Sequence, residues 1–144
     1  MNLKLKSFGI GLGIGAIICY IAAFFIGFTS AIALPSPVYN WAKEYSVQVP
    51  VIFAWDLFVV QFFGIGILAA ISTYIVLRFT SLKGLYVAAG FLASDIIFSF
   101  ASLLSLPTLQ HVSALNLIMF LPHLIVVFIC VFYAANIGSK NQRV

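Results

Sequence analysis

The stretch KLKSFGIGLGIGAIICYIAAFFIGFTSAIALPSP, residues 4–37, decides how the rest of the chain is read. Two lysines, Lys4 and Lys6, precede a run from Phe8 to Ala33 without a single charged residue. About 20 apolar residues suffice to carry a helix across a bilayer. The run ends at Leu34-Pro35-Ser36-Pro37, where two prolines withhold the donors a continuing helix needs. Ala31-Ile32-Ala33 resembles a signal-peptidase site, but an apolar core of a signal peptide is only ~7–15 residues long. The expectation is a retained first helix over 8–33.

Three further apolar runs follow the same rule. They predict helices over 50–77, 84–106 and 114–137, with an outer interfacial loop over 34–49 that carries Tyr39, Trp41 and Tyr45 beside Lys43 and Glu44. Pro50 suits a first helical turn, Pro107 follows the third helix, and Gly138 is a natural stop for the fourth. The fold class expected is all-α: one domain over 1–144, an integral membrane bundle of four transmembrane helices. Lys/Arg flanks stay in the cytoplasm. Six of the seven basic residues (Lys4, Lys6, Arg78, Lys83, Lys140, Arg143) fall on one side of the four runs and only Lys43 on the other, so both termini are expected inside.

Composition sets the limits on function. At 64% hydrophobic and 7% charged residues, with a mean hydropathy of +1.20, a water-soluble domain is excluded and no room remains for a separate catalytic module. The net charge of +4 is spread over helix ends, so it reads as topology anchoring and argues against nucleic acid. Cys19 and Cys130 lie inside apolar runs without a CxxC pairing, which removes thiol-redox chemistry. The glycines of the first run recur every second residue and match neither GxGxxG nor a P-loop. The signatures of four-helix disulfide-forming quinone reductases, small multidrug exporters and glutathione-linked membrane enzymes are likewise lacking.

The polar and small residues fall in stripes. Gly9, Gly13, Ala16, Tyr20, Ala23, Gly27 and Ser30 advance by steps of four and three, which predicts a close-packing seam on helix one. Gly84, Ala88, Leu92, Asp95, Ser99 and Ser102 make a second stripe, and Asn116, His123 and Cys130 a third. A rise of ~1.5 Å per residue places Asp95 ~16 Å from Gly84, His123 ~14 Å from Ala114, Gln61 ~16 Å from Pro50 and Tyr20 ~18 Å from Phe8. In a core of ~30 Å these four meet near the midplane. Asp56, ~9 Å in by the same rise, is expected at an outer polar entrance.

A carboxyl and an imidazole at one depth serve either as structural glue or as a titratable site, since imidazole titrates near neutral pH and intramembrane ionisable groups mark function. The sequence thus points to a small bacterial inner-membrane protein, multi-pass and non-enzymatic. It would act as an accessory subunit packed against another membrane protein or its own copies, or as a pathway for a small solute or a proton. The alternative is a redox subunit in which His123 contacts a haem or quinone. Pairing by two imidazoles is disfavoured because His111 lies outside the apolar run, and a metal would want more ligands than Asp95 and His123 supply. No cofactor is identified from sequence; the expected surroundings are the lipid bilayer.

Overall fold

The computed structural model describes residues 2–104 and 121–140. Every regular element among them is helical, and three helices are long and apolar enough to cross a membrane: Leu3–Ser30, Gln48–Phe79 and Leu121–Lys140. The elements are α1 (Leu3–Ser30), α2 (Ser36–Glu44), α3 (Gln48–Phe79), α4 (Gly84–Leu104) and α5 (Leu121–Lys140).

α1 starts five residues earlier than the apolar run because Asn2 caps it, its side chain accepting from Lys4 N at 3.2 Å. Lys4 and Lys6 thus belong to the helix. It ends at Ser30 and not at Ala33: the Ser30 hydroxyl bonds back to the Gly27 carbonyl, which competes with continuation, while the one proton of Thr29 is shared among the carbonyls of Phe25, Ile26 and Val60. The segment expected to be an outer loop contains a helix, α2. Prolines can begin a helix as readily as they end one, and Pro35 caps α2 while Pro37 sits in its first turn, where no backbone donor is required. α2 closes on Ser46, whose φ of 55° lies in the left-handed region, with Val47 N donating to Ala42 O at 2.8 Å.

α3 spans two residues beyond the expected 50–77 at each end, and its middle is π-helical over Asp56–Gly66. A side chain from outside enters its backbone ladder there: Thr29 Oγ1 of α1 donates to Val60 O at 3.0 Å. Two glycines let the widened segment sit between neighbours. A Cβ on Gly64 would lie 2.8 Å from Ile26 Cγ1, and one on Gly66 would lie 2.7 Å from Val126 Cγ1.

α4 begins at Gly84 as expected; residues 105 and 106 lie outside the described range, as do 114–120 of the fourth expected helix together with Asn116 and His111. α5 continues through Gly138, which is a contact and not a stop: its Cβ position is 2.8 Å from Leu77 Cβ. α1 packs chiefly along α4 and across the π segment, while α5 lies against α3 and α4. Phe91, Ile65, Leu77, Val87, Val127 and Val131 fill the centre. Most other large apolar side chains face outward, Phe28, Val49 and Phe79 each 79% exposed, a surface compatible with membrane-spanning helices.

The α1 seam differs from the stripe expected. The inward face carries Ser7, Gly11, Gly15, Cys19 and Ala22, whereas Gly9, Gly13, Ala16, Tyr20, Ala23 and Gly27 are all exposed. A Cβ on Gly9, Gly13 or Gly27 would meet nothing within 4 Å. One on Gly11 would strike the Val87 carbonyl, and one on Gly15 would lie 2.9 Å from Phe91 O. Both four-residue glycine pairs permit close approach; the pair two positions along is the one that also turns Ser7 and Cys19 inward.

Candidate functional site: a buried carboxylate–imidazole–amide cluster

Three helices bring polar side chains together inside the bundle. Asp95 of α4 is 1% exposed, placed inward by the same stripe that buries Gly84 and Ala88. His123 of α5 lies one residue after the buried Pro122, and its side chain is 12% exposed. Its Nε2 lies 3.0 Å from Asp95 Oδ1 and its Nδ1 lies 3.0 Å from Gln61 Oε1. Gln61 is half-buried in the middle of the π segment.

Tyr20 does not join them. It is 62% exposed on the outer face of α1, its ring packed edge-on against Phe24. The α1 contribution is its neighbour Cys19, whose Sγ donates to Asp95 Oδ1 at 3.4 Å. Sequence reasoning missed this residue because depth alone does not separate adjacent positions on a helix, whereas their directions differ by ~100°. The usable signal was the four-step line Ser7, Gly11, Gly15, Cys19. Asp56 is half-buried in the first turn of the π segment, five residues before Gln61, and makes no side-chain hydrogen bond among the described residues. Cys130 is buried beside Gly66, away from the cluster's hydrogen bonds.

The geometry restricts where protons sit. Both ring nitrogens of His123 face oxygen atoms, so an imidazolium between a carboxylate and the Gln61 carbonyl satisfies both ring nitrogens, Asp95 Oδ1 and Gln61 Oε1 with no net charge. Moving the Nε2 proton onto Asp95 Oδ1 gives a neutral imidazole and a neutral acid. Nδ1–H still donates to Gln61, and Cys19 still donates to Oδ1, so no heavy atom need shift. Removing a proton from the cluster altogether leaves a carboxylate and a neutral ring. One nitrogen then needs a donor, which Gln61 provides only by turning its amide to present –NH₂. Asp95 Oδ2 is buried without a hydrogen-bond partner among the described residues, so Oδ1 carries all of the carboxyl's bonding.

No group of three or more His, Cys, Asp or Glu with metal-binding geometry occurs among the described residues. A haem or quinone contact through His123 would have to displace either Asp95 or Gln61 from the ring. No family model matches this chain, and no curated protein or solved structure matches it either.

Proposed function

We propose that the chain is a multi-pass inner-membrane protein with four spanning helices and both termini in the cytoplasm, and that the cluster of Asp95, His123, Gln61 and Cys19 is its working site, a proton-binding relay near the midplane. The observation that carries this reading is the His123 ring held at 3.0 Å from an acceptor on each side, inside a bundle whose core is mostly apolar. A group that serves only as glue gains little here, because interhelical polar bonds in membranes average well under ~2 kcal/mol. A relay gains a site in which a proton passes between Nε2 and Oδ1 along a bond already formed. Gln61 is its positioning residue, since release of the proton requires its amide to turn. Among the groups facing His123 are Asp95 from α4 and Gln61 from α3, with the Cys19 thiol of α1 on the shared oxygen.

Asp95→Asn keeps the shape and a hydrogen bond to the ring but removes the ionisable oxygen. In liposomes with an imposed pH gradient, proton flux through the wild type is expected to fall at least ~10-fold in Asp95→Asn. Gln61→Leu should change the ratio of Nδ1–H to Nε2–H tautomers read from ¹⁵N shifts of His123. Wild-type protein without flux, together with an unchanged Asn variant, would end the relay reading. It would leave lateral association, for which the outward stripe of Gly9, Gly13, Ala16, Ala23 and Gly27 offers a close-packing face.

The orientation follows from Lys/Arg asymmetry and has its own test. A reporter fused after Val144 is expected in the cytoplasm, and one inserted beside Lys43 is expected outside. Export of the C-terminal fusion would reverse the arrangement.

A further inference from the structure

The basic residues do more than mark an orientation. Four helix ends gather at one pole of the bundle: Lys83 N donates to Ser7 Oγ of α1 at 3.0 Å, and the Cβ position of Gly84 lies 3.0 Å from Ala135 O, 3.4 Å from Ser139 Cβ and 3.5 Å from Leu77 Cδ1. Lys4, Lys6, Arg78, Lys83 and Lys140 are therefore collected there, and all five are exposed. The chain has only three acidic residues, Glu44, Asp56 and Asp95, and none belongs to this pole. The His123–Asp95 contact is the one carboxylate pairing among the described residues, so none of these five cations has a carboxylate partner among them.

Two of the cations are held by tyrosines. Lys4 Nζ stands 5.8 Å from the centroid of the Tyr86 ring. Arg78 Cζ stands 5.9 Å from the Tyr74 ring, and Arg78 Nη1 donates to the Tyr74 hydroxyl at 2.7 Å. These contacts fix the direction of each cation without neutralising it, and a guanidinium with one donor engaged keeps the rest of its fork for an oxyanion. Tyrosine at this level is also the amphipathic residue suited to a headgroup layer.

We infer that this pole is a docking face for anionic phospholipid headgroups, with Lys4, Arg78 and Lys83 as the principal phosphate contacts. Charge complementarity identifies the occupant. A cluster of cations at a helix-bundle end, with no Asp or Glu side chain beside it, draws its counter-charge from the adjoining leaflet, where the phosphodiesters of anionic lipids lie in reach. The inference rests on the membrane reading above but is independent of the relay.

Native mass spectrometry of the detergent-solubilised protein tests it, with phosphatidylglycerol and phosphatidylcholine supplied in equal amounts. Phosphatidylglycerol adducts should exceed phosphatidylcholine adducts at least ~fivefold. The excess should collapse to parity in the Lys4→Gln/Arg78→Gln/Lys83→Gln variant and persist in Lys43→Gln. Should the triple variant fail to fold by circular dichroism, Arg78→Gln and Lys4→Gln alone should each lower the ratio. Equal adducts in the wild type, or a preference that survives neutralisation, overturns the inference; so does full displacement of the lipid by millimolar inorganic phosphate, which would make free phosphate the ligand. Retention of the chain in carbonate-washed membranes is scored in parallel, so that absence of lipid preference in a retained chain counts against the headgroup face and not against membrane insertion.

Discussion

Gly11→Ala is expected to destabilise the bundle by about 2–3 kcal/mol, and Gly9→Ala, two residues away on the same helix, to leave it unchanged or slightly firmer. The first methyl would strike the backbone carbonyl of Val87, and backbone has no rotamer in which to retreat. Gly90→Ala on the facing helix should behave alike, since its Cβ would run into Phe8 O and lie 2.8 Å from Leu12 N. Gly15→Ala should behave likewise, since Ser94 Cβ at 2.8 Å and Phe91 O at 2.9 Å are both fixed by the backbone of α4. At Gly9 and Gly13 nothing lies within 4 Å, and alanine lowers the conformational entropy lost on forming the helix by ~0.5–1 kcal/mol. Thermal unfolding of the solubilised protein compares all five. Equal losses at Gly9 and Gly11 would mean that α1 does not meet α4 on this face.

That pair of glycines also shows where sequence reading ran out. Gly9, Gly11, Gly13 and Gly15 contain two interleaved four-residue pairs, and helical period alone rates them equally. The choice between them turns α1 by ~200°, which exchanges its inner and outer faces and substitutes Cys19 for Tyr20 in the cluster. In a soluble helix the polar face would have broken the tie; here both faces are apolar because both lipid and protein accept them. Asp95, His123 and Gln61 were legible for the opposite reason. A polar group in a long apolar run has few places to go, so counting residues from each helix end sufficed to bring them to one level. What depth could not supply was the π segment, which takes a hydrogen bond at Val60 O from Thr29 on a different helix, nor α2, where prolines read as breakers serve as starters.

Replacing Asp95 by Leu is expected to cost about 2–3 kcal/mol, and replacing Asp95 and His123 together by Leu to cost less than that single change. The single variant removes the acceptor of both His123 Nε2 and the Cys19 thiol, leaving a ring nitrogen and a sulfur facing an apolar side chain. The loss exceeds the value of the bond itself, which is under ~2 kcal/mol between membrane helices, because the stranded partners carry a desolvation penalty of their own. Taking both partners away removes that penalty. Gln61 then loses its contact with the ring, a cost that the double variant shares with His123→Leu and that cancels in the comparison. Unfolding of the wild type, both single variants and the double variant gives the coupling directly, and strictly additive losses would show that the two side chains do not act as a unit. A double leucine variant at least as stable as the wild type would carry a further meaning. A cluster that an apolar pair can replace without loss is not held there by its contribution to folding.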